Sequence, residues 1–404
     1  MARPKIFLSA GEASGEHYAA QLIPAIRQLA PQAEFFGLGG QRMEALGFRR
    51  IVRAEDVAVM GITEIIRHIP HIYGEYRKLK ASVAAERPDA AILIDFPDVN
   101  LSLARTLHKL KIPVIYFVSP QLWAWKKYRI RRVQRYVDRM LVIFPFEQDF
   151  YRRHGVEASF VGHPLAEVSL PSISRNEFAA QHGLDPSKYW IGLLPGSRFK
   201  EIRLNLPEML EAARQLGEPS EFLLPLAPTL TQDHIAHVRS ILDASLKGHG
   251  FNRAVEPAKE AAASAPEANL RVTLVNDARA TLHHARASII ASGTATVEAA
   301  LIGNPFLVVY RVSGLTYAVA KRVVKVPHVA MVNLIAGREV VPELIQSDFT
   351  AANVVSHLRP LLHNEEARSQ MQRDLASVAA SLHTEKSPIE QVARITMELV
   401  SLAR

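Results

Sequence analysis

Trp190-Ile191-Gly192-Leu193-Leu194-Pro195-Gly196-Ser197-Arg198 is an apolar run that ends in a glycine-containing turn and leads into the helix-like pattern of Glu208–Leu216. A short apolar run closed by a turn and followed by a helical period is the pattern of a buried parallel strand in a βα unit. A glycine at the strand end lets backbone N–H groups approach an anion, and Arg198 adds a bidentate charged donor. Gly196, Ser197 and Arg198 are therefore candidate phosphate ligands, although an ordinary βα turn with a surface arginine has the same composition.

The pattern repeats on both sides of this stretch. Downstream, Glu221–Pro225, Arg271–Val275, Ala287–Ala291 and Pro305–Tyr310 are β-rich and alternate with helical segments. Upstream, Lys5–Ser9, Glu34–Leu38, Ala90–Asp95, Val114–Val118 and Met140–Phe144 do the same, with helical patterns such as Gly15–Ala30 and Leu101–Leu110 between them. Leu165–Arg175 is polar and carries Pro171, and it reads as a linker. The expected architecture is α/β, two Rossmann-like domains facing a cleft with ligands at the carboxyl ends of the strands. The expected divisions are residues 1–168, 169–364 and 365–404, the last stretch being helical and packing back on the first domain. Ala254–Asn269 reads as a surface insertion.

Composition fits such an enzyme. The chain has 404 residues, enough for two ordinary domains, and 48 Lys plus Arg against 40 Asp plus Glu give a net charge of +8. That excess favours anionic partners. With no cysteine, disulfides, thiolate catalysis and cysteine metal sites are excluded. His163, His283, His284 and His328 lack a ligand-spaced partner set, so neither a metal nor a cofactor is expected. The N-terminus reaches Gly11, Glu12 and Glu16 directly after Ile6-Phe7-Leu8, which is not a signal-peptide pattern. Ala287–Val309, the most apolar long stretch, is interrupted by Glu298, Asn304 and Pro305 and reads as buried core.

Five more segments bear on the reading. Ser292-Gly293-Thr294-Ala295-Thr296-Val297-Glu298 follows the run Ala287–Ala291. Thr294 is the expected N-cap, and Glu298 is either an acceptor for a ribose diol or a carboxylate favoured by the helix dipole. Ser9-Ala10-Gly11-Glu12-Ala13-Ser14-Gly15-Glu16 is not a dinucleotide fingerprint, and its two acids suit sugar hydroxyls or, for Glu16, a helix N-terminus. Asp95-Phe96-Pro97-Asp98-Val99-Asn100 offers a general base and an orienting partner, or a capping turn before a helix starting near Leu101. Trp123–Arg139 concentrates Lys126, Lys127, Arg129, Arg131, Arg132, Arg135 and Arg139 among Trp125, Tyr128 and Tyr136, which suits phosphates or lipid headgroups, or is a solvated helix face. In Val59–Tyr76, Ile62, Ile65, Ile66, Ile69 and Tyr76 recur at helical spacing, with Pro70 expected to break or kink the helix. Such a stripe is core packing or an interfacial surface.

Taken in order, Ser9–Gly15, Ile94–Asn100, Ser119-Pro120-Gln121-Leu122-Trp123-Ala124-Trp125, Val161-Gly162-His163-Pro164, Leu194–Arg198, Ser292–Glu298 and Asn333-Leu334-Ile335-Ala336-Gly337-Arg338-Glu339 resemble the lipid-A-disaccharide synthase family over nearly the whole chain. One departure is Glu16, where the family commonly has Asp. The resemblance implies a GT-B-type fold and an inverting, metal-free glycosyl transfer. It implies UDP-2,3-diacylglucosamine as donor, 2,3-diacylglucosamine 1-phosphate (lipid X) as acceptor, and the β-1′,6-linked lipid A disaccharide 1-phosphate plus UDP as products. It also implies a peripheral place on the cytoplasmic face of the inner membrane, leaves room for a homodimer, and implies no nucleic-acid partner.

On that reading Asp98 is the general base with Asp95 as second choice, and Arg198 stabilises departing UDP. Gly196, Ser197, Ser292, Gly293, Thr294, Thr296, Glu298, Asn333 and Glu339 line the donor side. Gly11, Glu12, Ser14, Glu16, Asn100 and Gln121 line the acceptor side. Ile62, Ile65, Ile66 and Ile69 become an acyl- or membrane-contacting surface. The competing readings are a UDP-N-acetylglucosamine epimerase-like enzyme, which needs no acceptor, and a non-catalytic peripheral lipid-binding protein, which needs no nucleotide. If the stripe meets lipid, replacing Ile65, Ile66 and Ile69 with Ser weakens liposome binding in a flotation assay while circular dichroism stays native; unchanged binding removes the interfacial reading.

Overall fold

The computed structural model describes residues 3–57, 62–217, 219–246, 270–324 and 326–403. By contacts the chain divides into two compact units, one of Met1–Glu167, Val323–Lys325 and Ser381–Arg404, the other of Val168–Arg322 and Val326–Ala380.

The first unit is built on seven parallel strands: β1 Lys5–Ala10, β2 Glu34–Gly39, β3 Arg49–Arg53, β4 Ala90–Ile94, β5 Val114–Phe117, β6 Arg139–Val142 and β7 Ala158–Phe160. Their spatial order is β3-β2-β1-β4-β5-β6-β7. The second unit has six: β8 Trp190–Leu194, β9 Glu221–Pro225, β10 Arg271–Val275, β11 Ala287–Ala291, β12 Phe306–Tyr310 and β13 Glu343–Ile345, in the order β10-β9-β8-β11-β12-β13. Both are doubly wound sheets in which the strand order reverses once, between β1 and β4 and between β8 and β11. At such a reversal the two following loops diverge to opposite faces and open a crevice beyond the strand ends. The interior strands are apolar on both faces because helices cover both faces.

The helix Ile62–Glu86 runs through Pro70, so that proline does not end it. Ile62, Ile65, Ile66 and Ile69 fall on this helix, but their side chains lie outside the described residues, as does the segment 254–269. The expected helical tail is two helices, Glu365–Leu382 and Pro388–Ala403. They divide between the units: Leu375 and Val378 of the first pack in the core of the second unit, while Ile389, Val392, Ala393 and Leu399 join the core formed by Leu8, Tyr18, Leu22 and Ile94. The contact division therefore falls after Ala380 and not after residue 364. The stretch 287–309 is β11, a helix and β12, and among the described residues no helix is long and apolar enough to cross a membrane.

His163 is 1% exposed; its backbone N–H donates to the Leu382 carbonyl at 2.9 Å and its Nδ1 accepts from the Leu165 N–H at 3.1 Å. Burial pulls its pKa down to about 3. Glu147 is 2% exposed and burial pushes its carboxyl up to about 8 against the donors that face it. The unfolded chain protonates His163 near pH 6.5 while the fold keeps it neutral, so His163 removes stability as pH falls below about 6.5, by about 1.4 kcal/mol per unit. Glu147 works in the opposite sense: the unfolded chain loses the proton near pH 4.5 while the fold keeps it, so stability falls as pH rises from about 4.5 towards 8. In urea unfolding at pH 5 and pH 7, the stability of wild type relative to His163→Gln is expected to fall by about 2 kcal/mol at the lower pH. A pH-independent difference would show that His163 takes up its proton in the fold as readily as in the unfolded chain.

Candidate functional site

In the first unit, β1 and β4 lie side by side with Ala10 opposite Ile94, so the loops following them start one strand spacing apart. The β4 loop makes an unusual turn: Asp95 and Phe96 both have left-handed backbones, with φ of 45° and 47°. Two non-glycine residues hold this conformation only if surrounding bonds over-determine it. Here the Asp95 carbonyl accepts from Tyr116 Oη at 2.6 Å and from Asn100 Nδ2 at 2.8 Å. The Phe96 ring lies over Gly11, where a Cβ would stand 2.4 Å from it, so the close approach requires glycine at 11. The following helix begins at Pro97, four residues earlier than expected, because proline's fixed φ suits the first helical position.

That start places Asp98 in the first turn, where the helix dipole favours a carboxylate. Its side chain is 69% exposed and is ion-paired to Arg129 Nη2, whose side chain is only 9% exposed. Asn100, expected on the acceptor side, is instead 0% exposed. Its amide donates to the Asp95, Ile94 and Ser9 carbonyls, and its oxygen accepts from Ser9 Oγ at 2.6 Å. With its donors and acceptor committed it cannot reach a ligand, and it holds β1 to β4. Glu12 begins the helix Ala13–Leu29, and Ser14 is exposed in its first turn. Glu16 Oε1 accepts the Arg42 N–H at 2.8 Å and so caps the short helix Gln41–Glu44.

The segment 119–125 is tied down from below. Trp123 Nε1 donates to Glu147 Oε1 at 3.1 Å, and Ser119 Oγ meets Tyr151 Oη at 2.9 Å. Gln121 and Trp125 are left exposed. The basic stretch is not one helix face. It comprises a 3₁₀ turn, Lys127–Arg129, a helix, Ile130–Tyr136, and the start of β6. Lys127, Arg131, Arg132, Arg135 and Arg139 are exposed beside Tyr128, and Lys126 Nζ sits 4.0 Å from the Trp125 ring centroid.

In the second unit, β8 and β11 are neighbours with Leu194 opposite Ile290. Gly196 in the turn 195–198 has φ of 124°, accessible to glycine, and a Cβ there would meet Glu201 Oε2 at 2.5 Å. Glu201, on the helix Phe199–Leu216, also receives the Arg198 N–H at 3.3 Å and pairs with its guanidinium at 3.7 Å. The side chain of Arg198 is 66% exposed. The buried Asn205 amide donates to the Pro195 carbonyl at 2.9 Å and fixes the turn from behind.

The β11 turn is capped by Gly293, with Thr294 as the first helical residue, so the expected Thr294 N-cap is displaced by one. A backbone without a Cβ leaves the first N–H groups of the helix Thr294–Ile302 uncovered on that side. Ser292 Oγ donates to the Val329 carbonyl at 3.3 Å. Thr296, expected as a donor ligand, is 0% exposed and its hydroxyl donates to the Gly293 carbonyl at 2.7 Å. Glu298 is largely buried, and its pKa is raised by burial, opposed by Arg279, whose Nη1 lies 3.6 Å away. Asn333, also expected to line the donor, is 0% exposed. It donates to the Val341 carbonyl and Glu343 Oε1 and accepts from the Val340 and Val341 N–H groups. All four of its bonds are made internally, whereas Glu339 is exposed, as are its neighbours Gly337 and Arg338. Among the described residues no group of three or more His, Asp or Glu could hold a metal ion.

Arg129, Glu201 and Arg279 were not singled out individually from sequence. Glu201 had a signal, an acid three residues into a helix whose cap is Arg198. Arg129 was one cation among seven, and nothing local distinguishes Arg279.

The profile described as lipid-A-disaccharide synthetase matches residues 6–256 and 250–396. The chain belongs to the lipid-A-disaccharide synthase family, and it is a glycosyltransferase. A lipid-A-disaccharide synthase of Acidobacterium capsulatum is 67% identical over 398 residues, covering 98% of this chain and 96% of that one. Among solved structures, a UDP-GlcNAc 2-epimerase from Neisseria meningitidis bound to UDP-GlcNAc has a TM-score of 0.56 at 13% identity, covering 99% of this chain and 100% of that one. CalG4, the calicheamicin glycosyltransferase, has a TM-score of 0.57 at 15% identity, covering 100% and 99%. These establish the GT-B-type pair of Rossmann-like folds; since epimerases and transferases share it, the family and not the fold decides between the two activities.

The assignment of Asn333 to the scaffold predicts that Asn333→Ala lowers stability by about 2 to 4 kcal/mol, since it takes the partner from the Val340 and Val341 N–H groups and the Val341 carbonyl. Thermal unfolding without ligand measures this; a variant as stable as wild type, with only donor KM changed, would return Asn333 to the donor side.

Proposed function

We propose that this glycosyltransferase condenses UDP-2,3-diacylglucosamine with 2,3-diacylglucosamine 1-phosphate by inverting transfer, giving the β-1′,6-linked disaccharide 1-phosphate and UDP. Family membership gives the reaction. The observation that supports the division of labour among residues is the position of both loop pairs at the strand-order reversals, where doubly wound sheets take their ligands.

The acceptor loops belong to the first unit. Asp98 removes the proton from the acceptor 6-hydroxyl as that oxygen forms a bond to the anomeric carbon of the donor. The buried guanidinium of Arg129 holds the carboxylate in place. Asp95 is the second choice for base, because the exposed carboxylate in the helix's first turn is that of Asp98. Gly11, Glu12, Ser14 and Gln121 lie on the sugar side, and Asn100 supports them without touching substrate. On the donor side the C–O bond to UDP breaks and its electron pair leaves on the β-phosphate. The Arg198 guanidinium and the N–H groups of 196–197 and 293–294 meet that charge as it develops. Ser197, Ser292 and Thr294 contribute polar edges, Glu339 lies at the rim, and Glu298 accepts the ribose hydroxyls.

The enzyme works at the cytoplasmic surface of the inner membrane on this reading, since both substrates are acylated. The exposed Trp125 and Tyr128 with Lys127, Arg131, Arg132 and Arg135 support it, an arrangement that suits anionic headgroups.

Incubation with acylated UDP-glucosamine and its 1-phosphate acceptor is expected to yield the disaccharide by mass spectrometry, with UDP release dependent on acceptor. Release without acceptor would favour an epimerase-like enzyme. Asp98→Asn is expected to lower kcat by about 10²- to 10⁴-fold with UDP affinity retained; near-normal turnover would move the base to Asp95.

A further inference from the structure

We propose that Arg279 is a positioning residue of the donor site, fixing the direction and the charge of the Glu298 carboxylate from an anchor on the linker. This rests on the reading of Glu298 as the acceptor for the ribose hydroxyls.

Arg279 lies in the helix Ala278–His284, with its side chain 21% exposed. One arm of its guanidinium is fixed: Nη2 donates to the carbonyls of Val168 at 3.2 Å and Ser169 at 3.1 Å. These are the first two residues of the second unit. The other arm points at Glu298, with Nη1 3.6 Å from Oε1. That nitrogen is buried and makes no hydrogen bond among the described residues. A buried charged N–H without a hydrogen-bond acceptor is costly, and the nearby carboxylate would relieve it by closing less than an ångström. With Nη2 held by two carbonyls, the guanidinium cannot swing away, so the carboxylate is drawn towards a fixed cation.

The charge of Glu298 matters as much as its direction. A ribose diol offers two O–H donors, and an ionised carboxylate is purely an acceptor, whereas a protonated one presents a competing O–H. Burial pushes the Glu298 pKa up and Arg279 pulls it back, while Asp277 on the same flanking helix adds to the rise. Strand β11 and the helix Met331–Ala336, which also pack against the Glu298 helix, carry no ionisable side chain. Arg279 is thus the cation that opposes the loss of charge on a largely buried acid. Since the bound form needs the anion, UDP affinity rises with pH through the Glu298 transition, and removing Arg279 moves that transition to higher pH.

The test is UDP binding by calorimetry from pH 5.5 to 8.5 for wild type, Arg279→Gln, Arg279→Lys and Glu298→Gln. Arg279→Gln retains an amide for the Val168 and Ser169 carbonyls but loses the charge. It is expected to shift the transition up by about one unit or more and so to bind UDP about tenfold more weakly on the acid side of the wild-type transition. Arg279→Lys restores the charge and is expected to stay within about threefold of wild type, near the wild-type midpoint. The phosphate of UDP titrates alike in every arm and cancels. Glu298→Gln is expected to lose both affinity and transition. If Glu298→Gln fails to bind but Arg279→Gln keeps the wild-type midpoint, the role of Arg279 is overturned and that of Glu298 stands. Wild-type binding by Glu298→Gln overturns the ribose reading itself. If Arg279→Gln does not fold, a shift in Arg279→Lys as large as a unit overturns the proposal, because the charge would then not be what sets the midpoint.

Discussion

The Asn100 side chain joins the ends of β1 and β4. One carboxamide binds Ser9 Oγ and the carbonyls of Ser9, Ile94 and Asp95, and those carbonyls belong to the two strands between which the sheet changes direction. At a reversal the helices leave to opposite faces, and this side chain, with the Phe96 ring over Gly11, spans the opening between the two loops. Without the amide, the left-handed pair Asp95-Phe96 would lose one of the two donors to the Asp95 carbonyl, and the helix carrying Asp98 would no longer start where it does. The proposed base thus depends on a residue whose own side chain is wholly committed inside the fold.

The second unit solves the same problem with the same chemistry. Asn205, 0% exposed, donates to the Pro195 carbonyl at 2.9 Å and accepts from the Arg311 N–H at 3.1 Å, bridging the ends of β8 and β12. Asn333 performs the corresponding service for 340–341 and, through Glu343, for the start of its own helix. An amide suits this work because it carries two donors and an acceptor on one rigid plane and no charge to desolvate. The groups proposed to face ligands are then backbone N–H and exposed side chains, mounted on turns braced from behind by these amides.

Much of this was legible in sequence because buried parallel strands are read as apolar runs. Ten runs anticipated β1, β2, β4, β5, β6 and β8 to β12 within a residue or two. The missed strands are outer ones with little apolar pattern: Arg49-Arg50-Ile51-Val52-Arg53 is largely charged, and β7 and β13 have three residues each. The loops were legible for a related reason, since glycine and polar residues directly after an apolar run have few other places to be. Burial of individual polar residues was not. Asn100 and Asn333 sit in motifs with the composition of ligand loops, and only the three-dimensional bond count assigns them to the interior. Arg129 and Arg279 were invisible because their partners, Asp98 and Glu298, are 31 and 19 positions away: sequence periodicity carries no information about a contact across elements.

The closing helix Pro388–Ala403 supplies Val392, Ala393 and Leu399 to the same core as Leu8 and Leu22, which come from the opening β1 and the helix after it. On a ribosome these two ends emerge far apart in time. At about 5–20 residues per second, the second unit is synthesised over tens of seconds while the first waits, its helix Ala13–Leu29 still lacking the helix that covers it. The unit whose chain begins first is the last to complete, and the face it leaves open meanwhile is an apolar one, of the kind that chaperones bind.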